Sequence, residues 1–145
     1  MKIMFVCTGN TCRSAMAEAI FKQMVTDDIE VLSSGIMAEN GRAPSKNTLE
    51  VCRAHGIDIS NHRATYFKDS DIVDMDLVLT FEEYHKYKIE IYYSDFEIFT
   101  VKEFIGEYPI DIADPVGGNY NVYEACFCEI VRVLKKVNLK ICKQW

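Results

Sequence analysis

The sequence predicts an α/β fold, a three-layer sandwich with a four-stranded parallel sheet and helices on both faces. Two observations carry this. Short apolar runs containing Ile, Val, Leu and Phe alternate with segments of helical period, the pattern of βαβ units. No internal repeat, low-complexity stretch or linker interrupts the 145 residues, so a single domain spanning 1–145 is expected. Crossovers between parallel strands should be right-handed, which places helices over both faces of the sheet.

Lys2–Cys7 is apolar and short, as a buried strand is. Thr8–Thr11 breaks it. From Arg13 to about Thr26, Ala15, Met16, Ala19, Ile20, Gln23 and Met24 follow the helical period. Ile29–Ser33 reads as the second strand, stopped by Ser34-Gly35. Met37–Ala43 is a loop. A helix follows Pro44-Ser45 and stops near Gly56, with proline at its start and glycine past its end. Ile57–Ala64 is a connection, and Phe67–Val73 holds a short helix. Asp76–Thr80 is the third strand, and Phe81–Lys88 a polar, exposed helix. Phe96–Val101 is the fourth strand, followed by a short helix over Lys102–Ile105. Tyr108–Asn121 is a loop carrying Pro109, Pro115 and Gly117-Gly118. The longest helix runs from about Asn121 to Lys140, with an apolar stripe of Val122, Cys126, Ile130, Val133, Val137 and Ile141.

Composition narrows the function classes. The formal net charge of −6 argues against nucleic acid as a partner, which needs a basic footprint. No run approaches the ~20 apolar residues of a membrane span, and the apolar N-terminus lacks a signal-peptide cleavage pattern. A cytoplasmic protein with no membrane partner is expected. The six cysteines are scattered, with no CxxC pair and no Cys/His cluster at zinc spacing, so neither a disulfide framework nor a metal site is expected. Cys52, Cys126 and Cys142 read as small buried hydrophobes. Cys126 and Cys128 point to different helix faces.

Cys7 is different. Ligands of parallel sheets bind beyond the carboxyl ends of the strands, and Cys7-Thr8-Gly9-Asn10-Thr11-Cys12-Arg13-Ser14 is the first strand-to-helix turn. Spacing alone decides nothing, because Cys126 and Arg132 are also six apart. That second pair lies inside a helical pattern whose amides are already hydrogen-bonded. Around Cys7, a strand delivers the cysteine, and Gly9 and Asn10 tolerate left-handed backbone angles. Successive N–H groups can therefore turn inward as an anion nest, and the following helix N-terminus adds positive potential. Arg13 can grip two oxygens of a phosphate with its planar fork. The same field favours the thiolate of Cys7, the nucleophilic form. Ser14 can donate a hydrogen bond to that sulfur. The turn thus reads as a phosphate loop after strand 1, with Thr8, Gly9, Asn10, Thr11, Cys12 and Ser14 around the anion. It carries neither GxGxxG nor a Gly-Lys-Ser/Thr signature.

Nucleophilic phosphoryl transfer needs a general acid from another loop at the same sheet edge. Asp114-Pro115 fits, since proline holds Asp114 in extended backbone. Asp111 competes for the role.

On these residues the chain resembles the low-molecular-weight protein tyrosine phosphatases over essentially its full length. The carrying motifs are Val6–Ser14 and Asp114-Pro115, with weaker matches at Ser33-Ser34-Gly35 and Gly56–His62. The resemblance implies that Cys7 forms a phosphocysteine, that Arg13 and the loop amides hold the phosphoryl group, and that Asp114 first protonates the leaving group and then activates water. It implies no metal or other cofactor. It assigns Asn10, Ser14, Ser33 and His62 to a polar network that shapes the loop. It makes Cys12 either a partner of Cys7 in a reversible disulfide or a packing residue. A phosphorylated protein is the implied partner.

Two departures bear on substrate. Family members that favour phosphotyrosine often carry aromatic residues after strand two and just after the Asp-Pro pair. Here Ile36–Ala43 has none and Val116 follows Pro115, leaving Tyr120 and Tyr123 as substitutes. Thr11 resembles the bacterial protein-arginine phosphatases, although threonine also occurs in tyrosine phosphatases, so both substrates stay open. A thiol-dependent arsenate reductase shares the Cys-x5-Arg loop but needs two further downstream cysteines close together, and none lies between Cys52 and Cys126. A catalytically inactive phosphoprotein-binding module would lack the nucleophile or the acid, and both are present.

Overall fold

A computed structural model describes residues 1–144. Four strands form one parallel sheet in the order β2-β1-β3-β4: β1 (Lys2–Cys7), β2 (Glu30–Gly35), β3 (Leu77–Thr80) and β4 (Ile98–Thr100). Helices α1 (Arg13–Lys22), α2 (Lys46–Ala54), α3 (Glu83–Glu90), α4 (Val101–Phe104) and α5 (Tyr120–Gln144) complete it. In place of the one short helix expected over Phe67–Val73 there are two separate 3-10 turns, Phe67–Asp69 and Ile72–Asp74.

Alternation along β1 builds two cores. Ile3, Phe5 and Cys7 face a cluster made with α1, α2, α4 and α5, whereas Met4 and Val6 face one made with α3 and the 3-10 turns. This is the expected three-layer sandwich. Phe5 meets Phe21 of α1 edge-on at 5.5 Å, and burying each ring is worth roughly 1.5–3 kcal/mol. The central strand β1 pairs with β2 from Lys2 to Cys7 and with β3 from Ile3 to Val6. Its carboxyl end therefore emerges at the middle of one sheet edge.

Local chemistry sets the helix ends. Ser45 caps α2 by accepting the Thr48 N–H, and left-handed Gly56 follows its end. Thr100 and Glu103 form a reciprocal capping box on α4. Helix α5 starts one residue earlier than expected and runs to the last described residue. Tyr123, not Val122, then occupies the inward position, and Val122 is exposed. Cys52 and Cys126 are buried as expected. Cys142 is exposed, because it sits about 100° around the helix from the buried Ile141. Helix α3 is only partly a surface helix, since His85 and Ile89 are buried. Among the described residues no helix is long and apolar enough to cross a membrane.

Candidate active site

The turn after β1 wraps around a pocket. The carbonyls of Cys7, Thr8 and Thr11 accept the N–H groups of Ile36, Met37 and Ser45. The Asn10 carbonyl accepts from His62 Nε2 at 2.7 Å. With four carbonyls engaged outward, the peptide N–H edges are left for the interior, where they can bind an anion. Asn10 supplies the left-handed backbone, at φ 55°. Gly9 does not adopt that conformation. The glycine that matters sterically is Gly35, where an added Cβ would lie 2.6 Å from the Thr8 carbonyl oxygen and 2.9 Å from the Asn10 nitrogen. The loop rests directly on the end of β2.

Cys7 is buried, with Sγ 2.9 Å from Ser14 Oγ. Asn10 Nδ2 donates to Ser14 Oγ at 2.8 Å, so the serine oxygen is taken as an acceptor, and its one proton has two acceptors in reach, the Ser34 carbonyl at 3.3 Å and the Cys7 sulfur. Asn10 Nδ2 also donates to Ser33 Oγ at 2.9 Å, and Asn10 Oδ1 accepts the Thr65 N–H at 2.9 Å. Ser33 donates in turn to Glu18 Oε2, and the other nitrogen of His62, Nδ1, lies 3.9 Å from that oxygen. The structure thus brings Ser33 and His62 together through one fully buried asparagine. Buried polar networks that are fully satisfied hold a single shape. The N-cap residue Cys12 does not cap α1 with its side chain, which leaves the helix's N–H groups and positive dipole end at the loop.

Arg13 is almost entirely buried. Nη1 donates to the Ile112 carbonyl at 2.7 Å. Nη1 also lies 3.3 Å from Glu82 Oε1, and Nη2 lies 3.3 Å from Asp114 Oδ2. Among the described residues, Arg13 Nε is the one buried side-chain nitrogen or oxygen without a hydrogen-bond partner. Such an orphan costs free energy unless a ligand satisfies it. Asp114 stands at the cleft, with Oδ1 accepting the Val116 N–H at 3.0 Å. Asp111 is engaged elsewhere, where its carboxylate accepts the Glu83 N–H at 2.8 Å and caps α3.

Sequence reasoning missed a second anchor. His85 is fully buried, and its pKa is pushed down to about 3 by desolvation and by the Arg13 charge. Its Nδ1 accepts the Glu82 N–H at 3.2 Å. The proton therefore sits on Nε2, which reaches Thr8 Oγ1 at 2.9 Å and Glu82 Oε2 at 3.1 Å. Neutral His85 ties the loop to α3, and Glu82 ties it to Arg13. Both follow β3, whose carboxyl end lies at the same sheet edge as that of β1; strand order was the signal that could have located them.

The cleft holds about 330 Å³ and is lined by Cys7, Thr8, Gly9, Thr11, Cys12, Arg13, Arg42, Ser45, Asp114, Val116 and Tyr123. Of the two tyrosine substitutes, Tyr123 lines it and Tyr120 does not. Cys12 faces hydroxyls, with Ser45 Oγ at 3.3 Å and Tyr123 OH at 3.7 Å. Burial and the Cys12 contact push the Tyr123 phenol up to about 12, so it stays protonated.

Comparison with known proteins agrees with this geometry. The profile of the family described as low molecular weight phosphotyrosine protein phosphatase matches residues 2–144. The low molecular weight protein-tyrosine-phosphatase PtpB of Staphylococcus epidermidis is 38% identical over 141 residues, covering 97% of this chain and 99% of that protein. The structure of the YwlE arginine phosphatase from Geobacillus stearothermophilus superposes with a TM-score of 0.92 at 34% identity, covering 99% of this chain and 94% of that one. A low molecular weight protein tyrosine phosphatase from T. tengcongensis superposes at 0.89 with 39% identity, covering 97% of this chain and 99% of that one.

Proposed function

The chain belongs to the low molecular weight phosphotyrosine protein phosphatase family, and from that premise we propose that it hydrolyses phosphorylated protein side chains through a phosphocysteine at Cys7. The observation that carries this reading is the Cys7–Arg13 loop, with its carbonyls turned outward and the buried Arg13 Nε lacking a partner. Cys7 Sγ attacks phosphorus, and an S–P bond forms as the bond to the leaving nitrogen or oxygen breaks. Arg13 and the inward N–H groups hold the phosphoryl oxygens, where charge stabilisation acts on the transition state. Asp114 gives its proton to the leaving atom and then takes one from the water that attacks phosphorus. The S–P bond breaks, and the Ser14 hydroxyl donates to the departing sulfur. Thr8, Gly9, Asn10, Thr11 and Cys12 frame the phosphoryl group, while Ser33 and His62 hold Asn10. The site needs neither metal nor other cofactor in this reading. The six free thiols, Cys7, Cys12, Cys52, Cys126, Cys128 and Cys142, fit a reducing, cytoplasmic setting.

Phosphoarginine is the favoured substrate. Its guanidinium carries N–H donors that lose affinity when buried without acceptors, and the cleft offers the Thr11 hydroxyl beside the Asp114 carboxylate. Exposed Met37 and Val116 stand in the two segments where family members often carry an aromatic wall. The ring of Tyr123 favours phosphotyrosine as the second reading. Arsenate reduction is disfavoured, because Cys52 and Cys126 are buried with thiols pushed up to about 12, while Cys128 and Cys142 lie on the surface. Side-by-side turnover of phosphoarginine and phosphotyrosine peptides decides the substrate. We expect higher kcat/KM on phosphoarginine, and Thr11→Ile should depress it at least tenfold more than phosphotyrosine turnover (about 1.4 kcal/mol). Equal effects on both peptides would remove the argument from Thr11.

A further inference from the structure

We propose that His55, Glu124 and Cys128 form a binding site for zinc or a similar borderline divalent metal at the junction of α2 and α5. Helix α2 ends at His55, whose ring stacks on Phe127 at 4.2 Å and 18°. That contact fixes the plane of the imidazole. Glu124 and Cys128 are four apart on α5 and so share one face. His55 Nε2 lies 2.8 and 3.0 Å from the two Glu124 oxygens, and Cys128 Sγ lies 3.6 Å from Oε1. All three donor atoms fall within 4.8 Å of one another.

Zinc bonds of about 2.0–2.3 Å in tetrahedral geometry place donors roughly 3.3–3.8 Å apart. Reaching that spacing asks Glu124 and Cys128 to rotate about a stationary imidazole; Cys128 is exposed and Glu124 half-buried. The donor set selects the ion. Nitrogen, sulfur and oxygen together suit zinc or cobalt, whereas calcium and magnesium take oxygen. On binding, the Cys128 thiol gives its proton to solvent and a metal–sulfur bond forms. The proton that His55 Nε2 directs at Glu124 leaves to solvent and the neutral ring keeps its proton on Nδ1, so that Nε2 coordinates through its lone pair, Glu124 supplies an oxygen, and water takes the fourth position. One thiolate and one carboxylate balance the 2+ charge.

Burial and the neighbouring Glu124 push the Cys128 thiol up, so the metal must displace a proton that is firmly held. The site is separate from the phosphate cleft, since none of the three residues lines it. A metal here would staple α2 to α5, and both helices reach Cys12, through Ser45 and Tyr123. Spacing in the sequence hides the site, because His55 and Glu124 are 69 residues apart.

Cobalt(II) added to the full chain tests the assignment. Wild type and Cys7→Ser should both develop thiolate-to-cobalt charge-transfer absorbance that one equivalent of zinc removes. Cys128→Ser should abolish it, and His55→Ala should weaken binding by about tenfold or more. Zinc should raise Tm in wild type but not in Cys128→Ser. Aryl-phosphate turnover of both variants without metal should match wild type, which shows that they are folded. No band in wild type, or a band that survives in Cys128→Ser and is lost in Cys7→Ser, overturns the site.

Discussion

Two segments of this chain carry a cysteine six residues before an arginine, and the fold treats them in opposite ways. In Cys7–Arg13 the cysteine ends a central strand, the intervening residues leave regular structure, and the arginine opens a helix beside an acidic loop. In Cys126–Arg132 every residue belongs to α5. Cys126 packs into the main core, where burial raises its thiol to about 12. Arg132 turns outward to Glu107 at 2.9 Å. Spacing is shared, so what differs is the backbone N–H groups, left free by the loop and consumed by the helix. The nucleophile proposed at Cys7 rests on that setting, not on the residue pair.

That contrast can be broken by mutation. Cys7→Ser should reduce aryl-phosphate turnover by about 10⁴-fold or more, as loss of a nucleophile does. Cys126→Ser should leave kcat within about twofold while lowering stability. Comparable losses in both would erase the distinction. Asp114→Asn should cost about 10² to 10⁴ in kcat, the range for a lost general acid, whereas Asp111→Asn should spare kcat because its carboxylate caps α3. A larger loss in Asp111→Asn would reverse the two assignments.

The loop's dependence on β2 gives a third test. Gly35→Ala forces a Cβ against backbone atoms of the loop, and we expect a stability loss of about 1–3 kcal/mol with a kcat at least tenfold lower. Undiminished kcat would mean that the loop holds its shape without β2.

His85 gives the smallest effect. Its folded pKa of about 3 lies below the 6.5 of the free side chain, so between these values the unfolded chain binds a proton that the native state refuses. Stability therefore falls as pH drops through that window, by up to about 1.4 kcal/mol per unit. Urea unfolding at pH 7 and pH 5 should show wild type losing about 1–2 kcal/mol more than His85→Asn. Equal losses would mean that His85 is not held neutral.

Much of the fold was legible because strands and helices differ in period. The β1 run, the Gly56 stop and the α5 stripe all follow from local pattern. That Cys7, Arg13 and Asp114 meet at one cleft was legible because strand end, helix start and Asp-Pro each leave a local trace. Glu82, His85, Glu18 and Ser45 left none. Their partners are distant in sequence, and only strand order brings them to Arg13, Thr8, His62 and Cys12. The polar pattern of 81–88 places His85 on an exposed helix, and its burial depends on what lies above the imidazole. Gly9 drew attention as the loop's glycine, while the tighter approach is at Gly35.

The most direct measurement is to trap the covalent intermediate. Asp114→Ala protein mixed with phosphoarginine or phosphotyrosine peptide, quenched in acid and digested, should carry one phosphoryl group on the peptide containing Cys7 and none on the peptide containing Cys126. A phosphoryl group on any other residue, or steady turnover by Cys7→Ser with no covalent species, would contradict the account.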